Sequence, residues 1–140
     1  MIASLCTEME AIAKPGQHIH FSHTGDELIF SDPTLFRNVV TNLLSNAIKF
    51  SPEGCMIEVD TQLTHDGIIL MVRDHGLGIS KLDQEHLFER FFRGTNVTNI
   101  QGTGLGLHIV GKYIEIMDGK IEFESELEKG TTFIITLKRN

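Results

Sequence analysis

Gly102-Thr103-Gly104-Leu105-Gly106-Leu107 opens a run of apolar residues at helical spacing that continues to Met117 and stops at Gly119. Glycines at the start of a helix free backbone N–H groups, and the helix dipole makes that end attractive to phosphate oxygens. Two common phosphate-binding arrangements do not fit the surroundings. The Lys-Ser/Thr pair of a P-loop is missing, and a polar stretch from Gly94 to Gln101 stands where a dinucleotide-binding fold would place its first strand. A glycine-rich helix start is weak by itself, so the rest of the chain must say which nucleotide fold this is.

Outward from the glycines the chain reads as alternating helices and strands without repeats or low-complexity tracts. After Gly119, strands are expected at Lys120 to Ser125 and Thr131 to Lys138, joined through Gly130. Upstream, β-branched residues mark Met56 to Leu63 and Ile68 to Arg73, with His65-Asp66-Gly67 as the turn between them. Asp32-Pro33 has the form of a helix start, and Leu35, Val39, Val40, Leu43, Leu44 and Ala47 then recur at helical spacing up to Phe50, before Pro52. Ser4 to Ala13 reads as a short helix ended by Pro15-Gly16. His18 to Ser22 and Glu27 to Ser31 flank Gly25-Asp26 as a hairpin. The sum is one α/β domain over residues 1–140, a two-layer sandwich with a mixed, mainly antiparallel five-stranded sheet and about three helices on one face.

Three further stretches carry polar residues with a chemical use. In Asn42-Leu43-Leu44-Ser45-Asn46-Ala47-Ile48-Lys49-Phe50, Asn42 and Asn46 share a helix face within reach of Lys49. Magnesium keeps waters and substrate phosphates and accepts few protein oxygens, so one amide carbonyl can serve it; the same residues alone would equally suit a solvated face. In Asp74-His75-Gly76-Leu77-Gly78-Ile79, a carboxylate stands at a strand end beside two glycines. It can accept from the exocyclic amine of adenine, whereas guanine would face it acceptor to acceptor; a plain aspartate-glycine turn is the alternative. Leu87-Phe88-Glu89-Arg90-Phe91-Phe92-Arg93 reads either as the end of a core helix or as the anchor of a lid formed by Gly94 to Gln101. Arg90 or Arg93 would then meet phosphate charge as it builds.

These four stretches, in this order, resemble the asparagine box, first glycine box, phenylalanine box and second glycine box of sensor histidine kinases. The resemblance runs from about Asp32 to Leu137, and Gly130-Thr131-Thr132-Phe133 is similar to the family's closing strand. It implies the ATP-binding sandwich shared with gyrase, a mismatch-repair ATPase and a heat-shock chaperone. By position, Asn46 would be the Mg2+ ligand, Asn42 a second polar contact, Lys49 a phosphate contact, and Asp74 the adenine partner helped by Gly76 and Gly78. Gly102, Gly104, Gly106 and Leu107 would shape the triphosphate pocket and lid hinge, and Phe88, Phe91 and Phe92 would anchor the lid. Ile79, Thr103, Leu105 and Thr132 complete the implied nucleotide-binding set, with Asn46, Lys49 and Arg93 acting on the phosphates. His75 departs from the small or polar residue more usual in the family.

Two absences bear on the reaction. Hydrolytic members of the superfamily place a glutamate one turn before the magnesium-binding asparagine, but Asn42 stands here, and an amide cannot take a proton from water. Slow hydrolysis and transfer to an incoming nucleophile are expected. The family's acceptor is a histidine followed by an acidic residue on a helical hairpin. None of the seven histidines has that setting, and His65-Asp66 falls in a turn. The acceptor is therefore expected on a dimerisation hairpin outside this chain, to which residues 1–15 would link, and a response-regulator receiver domain would take the phosphoryl group onward.

Composition narrows the remaining choices. With 140 residues, 41% of them hydrophobic, one core is expected, and no stretch approaches the roughly 20 apolar residues of a membrane span. A net charge of -7 argues against nucleic acid, and only Cys6 and Cys55 are present, outside any Cys-x-x-Cys pattern. A monomeric domain in a reducing cytoplasm is expected, without membrane contact of its own even where its parent is membrane-anchored. His18, His20 and His23 read as exposed strand histidines in preference to a metal site. Two other functions share the fold: a serine kinase of the anti-sigma-factor type, disfavoured by Phe88 to Phe92 and the Gly-Thr-Gly-Leu-Gly-Leu form, and an ATP-dependent clamp, which needs transducing segments.

Overall fold

The computed structural model describes residues 2–25, 33–85 and 106–138. Five strands form one sheet: β1 (His18–Thr24), β2 (Met56–Leu63), β3 (Gly67–Arg73), β4 (Lys120–Glu126) and β5 (Gly130–Lys138), in the order β1-β2-β3-β5-β4. Helix α1 spans Ile2–Glu10, α2 Pro33–Phe50, α3 Lys81–Gln84 and α4 Gly106–Ile116.

Alternation along each strand separates two faces of the sheet. Ile57 and Val59 on β2, Ile68, Leu70 and Val72 on β3, and Phe133, Ile135 and Leu137 on β5 are buried, while their neighbours, apart from the buried Gly67, are half-buried or exposed. Phe123 and Phe133 pair across β4 and β5 with ring centroids 6.2 Å apart. On α2, Phe36, Val39, Val40, Leu43, Leu44, Ala47 and Ile48 are buried in a continuous stripe that meets the sheet at β3 and α4 at its side. Burying each of the larger side chains in that stripe contributes about 2 kcal/mol. The asparagines lie on the other flank of the same helix, so the packing that holds α2 also aims them.

The first strand makes the sheet mixed, as expected. β1 pairs in parallel with β2, Ile19 opposite Ile57 and Phe21 opposite Val59. Glu27 to Ser31, the expected hairpin partner, lies outside the described residues, as does Asp32. A parallel neighbour needs a long crossover, and α2 between β1 and β2 supplies it. The other three pairings are antiparallel, and none of the described helices is long and apolar enough to cross a membrane.

The segment after α1 serves the end of α2. Lys14 Nζ donates to the carbonyls of Lys49 and Ser51, both at 2.9 Å, and Gln17 Nε2 donates to those of Ile48, Ser51 and Pro52 at 3.0–3.3 Å. The Ile48 and Lys49 carbonyls belong to the last turn of α2, where they lack partners within the helix, and a cation there suits the dipole. Glu10 Oε1 accepts from Ile19 N at 2.9 Å and closes that backbone group on an edge strand. Burial, and then Glu10, pushes the Cys6 thiol up to about 11, so it stays protonated and packs as a small apolar group in α1. Arg37 and Glu8 join α1 to α2 at 2.7 Å, but both are exposed and contribute at most about 1 kcal/mol.

Ser51 gives a stability prediction. Its side chain is buried, and its hydroxyl has no hydrogen-bond partner among the described residues. Since a buried unpaired hydroxyl costs about 1 kcal/mol or more, Ser51→Ala is expected to leave the melting temperature unchanged or raise it by a few degrees. A clear fall in thermal denaturation would show that the hydroxyl has a partner after all.

Candidate functional site

Asp74 follows β3 directly and is buried. Its N–H donates to Thr131 O at 2.9 Å, extending the β3–β5 ladder by one residue. Its Oδ1 accepts twice, from Gly76 N at 2.9 Å and from Thr131 N at 3.2 Å. Burial pushes the carboxyl above the usual carboxylate range, and the two N–H groups, with His75, pull it partly back. Oδ2 takes no hydrogen bond from the described residues. One carboxylate oxygen is thus anchored, and the other has no such anchor among the described residues.

The loop carrying Asp74 is held on two sides. Toward the helix, Leu77 N donates to Phe50 O at 3.2 Å, and a Cβ on Gly76 would lie 2.2 Å from that same oxygen. Only glycine permits this approach. Toward the β4–β5 hairpin, Glu128 N donates to Leu77 O and Ile79 N to Ser125 Oγ, both at 2.8 Å. Gln84 Nε2 then holds Ile79 O at 2.9 Å from α3, whose start is capped by Ser80 Oγ accepting from Asp83 N. Beside the loop, the His75–Glu58 pair at 3.7 Å is largely exposed and adds little.

Asn42, Asn46 and Lys49 fall at helical spacing on α2, the helix whose last carbonyl meets this loop. Asn42 Nδ2 donates to Asn38 O at 2.9 Å, one turn back. The half-buried Asn46 amide makes no hydrogen bond to the described residues, and Lys49 is exposed. Gly106 opens α4, and the half-buried Leu107 packs against the core, while Val110 and Ile114 are buried where α4 lies on α2. The Asp74 loop is thereby tied to the end of the asparagine helix, and α4 packs against that same helix.

Thr132 lies on β5. It pairs with Arg73 and Glu124 and points away from the helices, because strand alternation sends its neighbours Thr131 and Phe133 to the buried face. Thr131, 5% exposed, is the threonine beside Asp74. Parity with Phe133 in the sequence would have identified it. Ser125 and Gln84 carried no such signal. Phe88, Arg90, Phe91, Phe92, Arg93, Gly102, Thr103, Gly104 and Leu105 lie outside the described residues.

Comparison with known proteins agrees with this geometry. Residues 31–140 match the family described as Histidine kinase-, DNA gyrase B-, and HSP90-like ATPase. The chain is 34% identical over 139 residues to the signal transduction histidine-protein kinase ArlS of Staphylococcus epidermidis, covering 93% of this chain and 30% of that protein. It is 44% identical over 108 residues to the sensor histidine kinase RcsC of Escherichia coli K12, covering 76% and 11%. The chain therefore spans less than a third of the length of these curated relatives. Among solved structures, the catalytic domain of histidine kinase ThkA matches with a TM-score of 0.78 at 30% identity, covering 98% of this chain and 91% of that one. The mycobacterial sensor histidine kinase MprB matches with a TM-score of 0.79 at 26% identity, covering 98% and 93%. With the asparagine helix, the anchored aspartate and the glycine-led α4 in the family's order, the chain belongs to the histidine kinase-, DNA gyrase B- and HSP90-like ATPases, and within them to the catalytic domains of sensor histidine kinases.

Proposed function

We propose that this domain binds ATP with Mg2+ and transfers the γ-phosphoryl group to a histidine on a separate dimerisation hairpin, from which it passes to an aspartate of a response-regulator receiver domain. The observation that carries the reading is the Asp74 carboxylate, anchored through Oδ1 with Oδ2 left as an acceptor, on a loop locked to the asparagine helix. Adenine offers that oxygen its exocyclic amine, and guanine in the same pose would place its keto oxygen there, acceptor to acceptor. In the transfer, a nitrogen of the incoming imidazole forms the new bond to phosphorus, the bond from the γ-phosphorus to the bridging oxygen of ADP breaks, and the imidazole proton leaves to solvent. What the domain contributes is alignment and charge. Asn42, where hydrolytic relatives would need a base, offers an amide whose nitrogen is bonded to Asn38 O.

The half-buried, unengaged Asn46 amide suits a magnesium ligand. Mg2+ when bound supplies charge neutralisation between the phosphates. Lys49, and Arg93 from beyond the described residues, complete the phosphate set in this reading, with Gly76, Gly78 and Ile79 at the adenine end and Gly102 to Leu107 at the phosphates. Phe88, Phe91 and Phe92 would support the lid. Helix α1 is proposed as the link to the hairpin, and the cytoplasm, where ATP is available, as the site of action.

The test mixes the domain, a hairpin protein carrying the acceptor histidine, and ATP labelled in the γ position. Acid-labile, base-stable label on the hairpin is expected. Acid-stable label would indicate a hydroxyl acceptor and a serine kinase instead. Bound ATP without any transfer would leave a binding module. For the metal, Asn46→Ala is expected to lower ATP affinity roughly tenfold with Mg2+ and to leave it nearly unchanged in EDTA. Equal losses in both, measured by calorimetry, would remove Asn46 as the ligand.

A further inference from the structure

We infer that Ser125 is a positioning residue for the adenine end of the site, setting both the Asp74–Ile79 loop and the hydrogen of the Thr131 hydroxyl. The inference rests on the ATP reading above. Ser125 lies on β4 opposite Thr131 of β5, half-buried, on the helix-covered face of the sheet. Its Oγ meets three polar groups: Ile79 N at 2.8 Å, Thr131 Oγ1 at 2.9 Å and Gly130 O at 3.1 Å.

A hydroxyl has one hydrogen and two lone pairs, which decides how the three contacts are shared. The Ile79 N–H donates, so it occupies one lone pair. Gly130 O can only accept, so it takes the Ser125 hydrogen. The third contact is then satisfied in one way, with the Thr131 hydroxyl donating to Ser125. The hydrogen of Thr131 is thereby committed to Ser125, and its Oγ1 keeps lone pairs that can only accept, on the residue whose backbone N donates to Asp74 Oδ1. Ser125 thus makes the threonine beside Asp74 an acceptor. Two acceptors, Asp74 Oδ2 and Thr131 Oγ1, on residues joined through the Thr131 N–Asp74 Oδ1 bond, favour a base edge or a bridging water that donates, and disfavour the keto oxygen of guanine.

The same serine fixes the loop mechanically. Gln84 Nε2 donates to Ile79 O at 2.9 Å and to Ser125 O at 3.3 Å, so Ile79 is held at its N–H by the Ser125 side chain and at its carbonyl by a side chain that also grips the Ser125 backbone. Removal of one hydroxyl would free the Ile79 end of the loop and release the Thr131 hydroxyl hydrogen from Ser125.

Ser125→Ala and Ser125→Thr separate this role from a general packing role. ATP and GTP dissociation constants and amide hydrogen exchange are read on the same samples. In Ser125→Ala the ATP affinity is expected to fall about tenfold and the ATP-to-GTP preference with it. Exchange at Ile79 should quicken at least tenfold while Leu70 and Ile135 stay protected. Ser125→Thr keeps the hydroxyl and should restore ATP affinity to within about threefold of wild type. Unchanged affinity and preference in Ser125→Ala overturn the inference, as does an equal loss for both nucleotides that threonine does not rescue. If Ser125→Ala does not fold, wild-type exchange decides: an Ile79 amide protected like the sheet amides supports the inference, and a rapidly exchanging one overturns it. Failure of the wild type itself to bind ATP would overturn the underlying ATP reading, a result distinct from any failure confined to Ser125.

Discussion

Asp74→Asn is expected to weaken ATP binding by roughly 100-fold or more while leaving the fold as stable as wild type, or more so. The two effects separate because the two carboxylate oxygens do different work. Oδ1 accepts from Gly76 N and Thr131 N, and an asparagine Oδ1 can accept both in the same way. Oδ2 becomes an NH2 group that would face the adenine amine donor to donor. Burial raises the Asp74 pKa, so the native state holds this proton more tightly than the unfolded chain does. The stability Asp74 contributes is then fully present below its unfolded pKa and is lost as pH rises through its folded pKa. The asparagine variant lacks that loss. Adenine binding runs the other way, since a protonated Oδ2 donates where an acceptor is needed, and ATP affinity should fall as pH drops through the raised pKa. Calorimetric titration over pH, with thermal melts of both proteins, checks each part. Retained ATP binding in Asp74→Asn would remove Asp74 as the adenine partner, and a marked drop in its melting temperature would mean that the charge itself is structural.

Gly78→Ala is expected to cost about 3 kcal/mol, a fall of roughly 10 °C in melting temperature for a domain of this size. Two penalties meet at this residue. Its φ of +72° belongs to the left-handed region, and a Cβ would lie 2.1 Å from Glu126 O and 2.9 Å from Leu127 Cα. Both obstacles are backbone, so no side chain can swing aside, and the loop must part from the β4–β5 hairpin. The bonds from Glu128 N to Leu77 O and from Ile79 N to Ser125 Oγ cross that same boundary, so ATP affinity should fall along with stability. Gly54→Ala is the matched control. Its φ is +79°, but nothing lies within 4 Å of the added Cβ, so only the backbone penalty of about 1 kcal/mol applies and ATP binding should persist. Equal destabilisation at the two glycines would show that the close approach at Gly78 is not what constrains the loop.

Local periodicity and punctuation identified most elements on their own. The α2 helix, Pro33–Phe50, follows from apolar residues every third and fourth position and from Pro52 beyond it, and the strands from Met56 and Lys120 onward follow from β-branched residues between turn signals. Helix α3 was not legible, because four residues are too few to show a period. Its definition comes from the Ser80 cap and from Gln84 reaching Ile79 and Ser125, the last 41 residues away.

The candidate site divides along the same line. That Asn42, Asn46 and Lys49 share one helix face, that Asp74 ends a strand, and that Gly76 and Gly78 stand where bulk is excluded are all properties of spacing and residue type, so the sequence by itself determined them. The tertiary structure decided what those groups face. It placed β1 in parallel beside β2, put Thr131 and not Thr132 next to Asp74, and brought Lys14 and Gln17 to carbonyls at the end of α2 that lie 31–37 residues away. It also gathered Ile79, Gly130 and Thr131 around Ser125. The physical reason is that side-chain direction within an element repeats with a short period, whereas the partner of each face depends on strand register, and a slip of one residue would turn every side chain to the other face.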